Sequence, residues 1–174
     1  MQYNTTLERE DSMSTAVRAN CFDASALLKL YVQEDGSDEL RTYWNREPTK
    51  FTTSLCFYEA LTLLKVCHFY RKILDVEAYK KATLDLCAWF GVISKDIPEP
   101  NFLSPAVFFA AQRTAERYKI DLSDAFQIHT VKEGFFSHLS ADSRTILVSA
   151  DRDLVKAARA EGLRVWSILD ELPP

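Results

Sequence analysis

The sequence predicts an α/β fold in which a central, mostly parallel sheet carries helices on both faces. Short segments with strand character alternate with longer segments of helical periodicity along the chain. Two of the short segments are continuous apolar runs, which is typical of strands buried on both faces. No repeat, low-complexity tract or linker divides the 174 residues. Residues 18–174 are therefore predicted to form a single domain.

The first half of the predicted domain contains two strands and four helices. In chain order these are a strand at 19–23, helices at 26–34 and 38–44, a strand at 50–53, and helices at 55–72 and 76–90. Three of the helices follow side chains that can cap the first N–H groups, namely Asp23 or Ser25, Thr53 or Ser54, and Asp75. Apolar residues are so dense in the third helix that much of it is expected to be buried.

The second half begins with an extended segment or strand at 91–93 and ends with a strand. After the first segment come helices at 105–119 and from Asp121 or Ser123 to Gly134, and then a loop insertion at 135–144. A strand at 145–149, a helix at 151–160 and the final strand at 164–168 complete the domain. Ser104 followed by Pro105 is a typical helix start, because proline suits the first helical position. Residues 1–17 are polar, lack the apolar core of a signal peptide, and are predicted to be an N-terminal extension.

Composition excludes several classes of protein. The chain has 21 basic and 25 acidic side chains, so the broad positive charge of a nonspecific nucleic-acid binder is absent. The four cysteines form no CxxC pair and lie in apolar runs, which favours buried free thiols in a reducing compartment. No apolar stretch reaches the length of a membrane span. We therefore expect a cytoplasmic protein without a membrane partner.

Four acidic residues at the ends of apolar segments are the main functional signal. They are Asp23, Glu59, Asp124 and Asp151. In a sheet with helices on both faces, strand ends and the first turns of helices meet at one edge. Carboxylates gathered there repel each other unless a positive charge lies between them. Oxygen ligands suit Mg²⁺ or Mn²⁺, and the usual chemistry of such a metal site is phosphodiester hydrolysis.

Each of these acids also has a structural interpretation. An aspartate directly after a strand is more often a helix cap than a catalytic residue. Glu59 lies in an apolar helix and could pair with Lys65. Neighbouring acids compete for the same roles, Asp121 with Asp124 and Asp153 with Asp151. The sequence lacks the phosphate-binding, dinucleotide-binding, zinc-protease and serine-hydrolase motifs.

The segments around the four acids resemble the PIN-domain family, and most of all the VapC-type toxin ribonucleases of toxin–antitoxin pairs. They read DASALLKLY, SLCFYEALTLL, LSDAFQIHT and LVSADRDLVKAARAEGLRVW, in that order, and the resemblance extends over about 20–168. No single segment is very specific, but the ordered set is. The N-terminal extension and the insertion at 135–144 are not typical of the smallest toxins.

The resemblance implies an Mg²⁺- or Mn²⁺-dependent endoribonuclease with a PIN-like fold. The implied catalytic and metal-binding residues are Asp23, Glu59, Asp124 and Asp151. Ser25 and Ser149 are expected to orient carboxylates or touch phosphate, and Arg152 or Lys29 to supply positive charge. The implied partners are an RNA substrate, an antitoxin protein and a second copy of the chain.

Two other classes of function stay open at the level of sequence. One is a catalytically inactive PIN fold that binds RNA or protein. The other is a flavodoxin-like phosphate acceptor using Asp23 or Asp151, which would require a lysine at the end of a late strand. Here that strand ends in Ser149-Ala150-Asp151, which disfavours the phosphate acceptor.

Overall fold

The computed structural model describes residues 18–47, 49–138 and 144–174. Within these ranges, four parallel strands form one sheet in the order β2-β1-β3-β4. The elements are β1 (Ala19–Phe22), α1 (Ala24–Lys29), α2 (Ser37–Arg46), β2 (Lys50–Phe51), α3 (Ser54–Phe69), α4 (Val76–Val92), a 3-10 turn (Ser94–Asp96), α5 (Pro105–Tyr118), α6 (Leu122–Glu133), β3 (Thr145–Ser149), α7 (Arg152–Ala160) and β4 (Arg164–Ser167). The predicted α/β class with a parallel central sheet is confirmed.

The sheet is covered on both faces, because successive strand residues point to opposite sides. One face packs against α1 to α4 and the other against α6 and α7. The first face is formed by Phe22, Ile146, Val148 and Trp166, and the second by Cys21, Phe51, Leu147 and Val165. All eight side chains are buried. Burial on both faces explains the continuous apolar runs in the sequence.

Helix α1 is shorter than the periodicity predicts. It ends at Lys29 rather than near residue 34. The Arg41 guanidinium on α2 donates hydrogen bonds to the carbonyl oxygens of Leu30 and Val32, which replace helical partners beyond the end of α1. Gly36 then turns the chain into α2 at φ +80°, where a Cβ atom would lie 2.6 Å from the Ile168 side chain.

The extended segment predicted at 91–93 is wrong. Gly91 and Val92 form the last residues of α4, and the Ile93 N–H closes that helix on the carbonyl oxygen of Trp89. Val92 is 73% exposed, so it has no place in the buried sheet. Local β propensity was outweighed here by the helix that precedes it.

Burial of α3 follows a stripe rather than the whole helix. Cys56, Ala60 and Leu64 are fully buried, whereas Tyr58 and Phe69 are more than half exposed. All four cysteines are free thiols, and Cys87 is exposed, contrary to the expectation that all are buried. Among the described residues, none of the helices combines the length and apolarity that a membrane span requires. The predicted N-terminal extension at 1–17 and residues 139–143 of the predicted insertion lie outside the described residues.

Candidate active site

Asp23 follows β1 at the edge where the carboxyl ends of the strands lie. Its backbone N–H donates to the carbonyl oxygen of Val148 (3.1 Å), which joins it to the neighbouring strand β3. Its side chain is buried and caps α1, accepting a hydrogen bond from the Ala26 N–H at 2.6 Å. Two hydroxyl groups also donate to this carboxylate, from Ser25 (2.9 Å) and Ser149 (2.7 Å). Asp23 is thus held in one orientation by three donors.

Asp151 lies just beyond the end of β3, next to Asp23. Its Oδ1 caps α7 by accepting from the N–H groups of Asp153 (2.7 Å) and Leu154 (3.0 Å). The Asp151 N–H donates to Ser149 Oγ at 2.8 Å, and Ser149 in turn donates to Asp23. The Ala150 N–H similarly donates to Ser25 Oγ at 2.9 Å. The two serines therefore tie the ends of β1 and β3 together around Asp23.

Glu59 and Asp124 come from helices rather than strand ends. Glu59 lies in the second turn of α3, and its Oε2 accepts a hydrogen bond from Ser123 on α6 at 3.1 Å. Asp124 is the next residue along α6 and lies in its first turn, where the helix dipole favours a negative charge. The Ser123 contact joins the two helices that carry these acids. The alternative pairing of Glu59 with Lys65 is wrong, because no cation lies within ion-pair distance of Glu59 among the described residues.

Burial and neighbouring negative charges raise the pKa values of Asp23, Glu59 and Asp124. Burial, followed by the charges of Asp23, Asp151, Glu59 and Asp121, raises the pKa of Asp124 to about 8. Burial, with a contribution from Asp151, raises the pKa of Asp23 to about 6 against the hydrogen bonds that favour its ionised form. Burial and the charges of two nearby aspartates raise the pKa of Glu59 in the same direction. Asp124 therefore lies near enough to Asp23, Glu59 and Asp151 for their charges to act on it.

Internal compensation for this negative charge is missing from the described part of the chain. None of its lysine or arginine side chains lies within 4 Å of the carboxylates of Asp23, Glu59, Asp124 or Asp151. Arg152, expected to contribute positive charge, instead pairs with Asp170 at 3.0 Å. Lys29, the other expected cation, pairs with Glu34 at 3.0 Å. The expectation that Arg152 or Lys29 supplies positive charge to the four carboxylates is therefore wrong.

The two rival acids differ in what they do. Asp153 is three-quarters exposed and pairs with Lys156, so Asp151 is the residue that faces the other carboxylates. Asp121 occupies the N-cap position of α6, but its side chain accepts no hydrogen bond from the helix. The helix begins after Asp121, as one of the two predicted starts has it, but without a cap from this side chain. Its charge instead acts on Asp124 and Glu59.

Two contacts of the site were not assigned from sequence. The sequence indicates Ser123 only as a possible helix start, whereas in the structure its hydroxyl group donates a hydrogen bond to Glu59. Glu99 accepts hydrogen bonds from both the backbone N–H (2.9 Å) and the hydroxyl group of Ser54, and so holds the first turn of α3. Glu99 follows Pro98 in an irregular segment, and no periodic signal indicates that it reaches a helix 45 residues earlier.

The donor set fits a hard divalent cation, because it consists of carboxylate oxygens without an internal counter-charge. Asp23, Asp124 and Asp151, with Glu59, are the residues that could hold one. In the described ranges, however, no group of three or more His, Cys, Asp or Glu side chains is already arranged as a metal-binding cluster.

No protein-family model matches the chain, and no curated protein matches it. Among solved structures, the chain is similar to PAE2754 from Pyrobaculum aerophilum, whose crystal structure superposes with a TM-score of 0.51. The two sequences are 21% identical, and the alignment covers 80% of this chain and 86% of that chain. At this level of identity the similarity supports the fold alone.

Proposed function

We propose that this chain is a metal-dependent endoribonuclease of the PIN type. The observation that carries the proposal is the group of four carboxylates near the carboxyl edge of the sheet: burial and neighbouring negative charges raise the pKa values of Asp23, Glu59 and Asp124, and no lysine or arginine of the described residues pairs with any of the four. A fold that gathers uncompensated charge in this way is less stable than one that pairs it, so an external cation is the expected partner. The choice of RNA as substrate rests on the resemblance in sequence.

The proposed roles follow from the contacts of each side chain. Asp23, Asp124, Asp151 and Glu59 would hold one or two Mg²⁺ or Mn²⁺ ions. A bound cation would lower the pKa of a water molecule attached to it and would neutralise negative charge on the phosphate oxygens. Ser25 and Ser149 keep the Asp23 carboxylate fixed, and Ser123 orients Glu59. Asp124 must lose its proton before it can serve as a ligand, so cation binding and its deprotonation are linked.

The biological setting is a further part of the proposal. In line with the resemblance, the chain would be the toxin of a toxin–antitoxin pair in the cytoplasm. It would form a homodimer and be neutralised by an antitoxin that covers the carboxylates.

A second candidate is a catalytically inactive PIN fold that binds RNA or protein. This alternative requires no metal-binding cluster, and none is pre-arranged among the described residues. It predicts that divalent cations change neither the stability of the chain nor its action on RNA.

The direct test is cleavage of a labelled RNA mixture by the purified chain in Mg²⁺, in Mn²⁺ and in EDTA. We expect cleavage with either metal, none in EDTA, and loss of at least about a hundredfold in rate for Asp23→Asn, because even residues that only support metal ligands cost 10- to 100-fold. Asp85→Asn, on α4 and paired with Lys81, is the matched control and should cleave at the wild-type rate. Equal rates for the wild type and Asp23→Asn would sink the proposal.

A further inference from the structure

A second charged feature lies away from the carboxylates, in a cavity of about 350 Å³ between α5, α6 and the end of α7. Its charged lining consists of Arg113 and Arg117 from α5, Lys132 and Glu133 from α6, and Glu161 just after α7. His129 and Thr114 add polar groups to the wall. The cations outnumber the carboxylates by three to two, in a protein whose formal net charge is −4.

Glu161 fixes two of the three cations at the wall. Its carboxylate accepts from Lys132 Nζ at 2.5 Å and lies 3.5 Å from the Arg117 guanidinium. The Tyr118 hydroxyl group also donates to it, at 2.7 Å. One carboxylate thus holds two cationic groups in place, and both keep further N–H donors.

Arg113 is the third cation of the cavity wall, and Glu161 does not pair with it. Within the described ranges, no carboxylate lies within ion-pair distance of its guanidinium. It lies one turn before Arg117 on α5, and like charges at this spacing destabilise a helix. The second carboxylate of the wall, Glu133, does not pair with it. His129 is half-buried, and burial lowers its pKa. An additional anion is therefore the group that would complete this cavity.

We propose that this cavity binds a backbone phosphate of the RNA substrate, with Arg113 and Arg117 as the principal ligands. This inference rests on the proposed function and extends it to the path of the substrate. Arginine suits the role because its planar guanidinium presents paired donors to phosphate oxygens. Lys132 lies eight residues after Asp124 on α6, which places the cavity about 12 Å along that helix from the carboxylates. A strand of RNA cleaved at the carboxylates would reach the cavity within a few nucleotides.

The test measures binding of a labelled single-stranded RNA in EDTA, where no cleavage occurs, over a range of salt concentrations. The variants are Arg113→Gln, Arg113→Gln/Arg117→Gln, and the matched control Arg71→Gln, whose exposed side chain lies beyond the far end of α3. We expect the double variant to bind roughly tenfold more weakly, with a salt slope that is smaller by about 1. The single variant breaks no ion pair of the described residues, so its weaker binding reports the site independently of folding.

Several outcomes would overturn the inference. Unchanged affinity in the double variant, an equal loss in Arg71→Gln, or no measurable binding by the wild type would each do so. A second experiment measures the melting midpoint of the wild type and of the double variant in inorganic phosphate. Stabilisation that the double variant loses, without any change in RNA affinity, would identify a free phosphate ligand and overturn the RNA assignment. If RNA binding depends on the arginines but no metal supports cleavage, the cavity stands and the proposed nuclease function fails.

Discussion

The two ends of helix α6 place carboxylates in opposite electrostatic surroundings. At its first turn, Asp124 lies among four other acids, and its pKa rises to about 8. Beside its last turn, Glu161 accepts hydrogen bonds from Lys132 and Tyr118, which lower its pKa. The fold thus pairs Glu161 with its own cations, whereas no lysine or arginine of the described residues pairs with Asp124. The comparison locates the two proposed ligands, a cation at the first end and a phosphate group beside Arg113 at the second.

The largest expected effect is on catalysis. Asp124→Asn keeps the shape of the side chain but removes the charge that a metal ligand needs, so RNA cleavage should fall at least about a hundredfold. Single-turnover cleavage in Mg²⁺ measures it, with Asp85→Asn as the control for loss of a surface carboxylate. Wild-type cleavage by Asp124→Asn would show that the first end of α6 is not a ligand site.

The next effect is on stability in the presence of metal. A cation that binds only the folded chain raises the free energy of unfolding by about 2.7 kcal/mol at a hundredfold excess over its Kd. Thermal or urea unfolding in Mg²⁺, Mn²⁺ and EDTA should show this rise in the wild type and lose it in Asp124→Asn. Identical midpoints in metal and in EDTA would favour the inactive binding module.

Replacing a carboxylate by an amide should change the free energy of unfolding in opposite directions at the two ends of α6. Between the ordinary pKa of 3.8 and its folded value of about 8, Asp124 binds more protons in the folded state, so metal-free stability falls as pH rises through this range. Asp124→Asn should therefore raise metal-free stability at pH 8 by at least about 1 kcal/mol. Asp23, with its pKa of about 6, contributes in the same direction up to that pH.

Glu161 should behave in the reverse way. Because its folded pKa is lowered, its contribution is present above the ordinary value of 4.5 and is lost as pH falls through the folded value. Glu161→Gln should cost about 1 kcal/mol near neutral pH, since Lys132 loses a partly buried partner. Urea unfolding in EDTA from pH 4 to 8 measures both variants, and equal signs for the two would contradict the comparison.

The smallest effect is expected at Asp121. Its side chain caps nothing, so Asp121→Ala should change the free energy of unfolding by less than about 0.5 kcal/mol. It should also retain most of the activity that Asp124→Ala loses, because it acts on the other acids through its charge alone. Parallel unfolding and cleavage assays on the two variants decide between them; activity lost in Asp121→Ala would make it the ligand.

Much of the candidate site was predictable because its residues are tied to element boundaries. Asp23 and Asp151 follow apolar strands, and the carboxyl ends of parallel strands meet at one edge whatever the details of packing. Asp124 could be placed by the same reasoning, at the start of a periodic helix. The α/β class followed from alternation of short apolar and longer amphipathic segments.

Other features depended on contacts between residues distant in sequence, which periodicity does not encode. The short α1 depends on Arg41 reaching the carbonyl oxygens of Leu30 and Val32, and the end of α4 replaced a predicted extended segment. Arg152 pairs with Asp170, 18 residues further along the chain, and therefore does not supply charge to the carboxylates as expected.

The sequence by itself therefore determined the class of fold and the edge at which the acids were predicted to gather, because the ends of strands and the starts of helices are local properties. Tertiary structure alone decided which charges are compensated. Lys132 and Glu161 are 29 residues apart, and Ser149 and Asp23 are 126 apart, yet each pair is in hydrogen-bond contact. Coulomb energies depend on distance and burial rather than on spacing in the chain, so only the folded arrangement separates a carboxylate that is paired with a cation from one that is not.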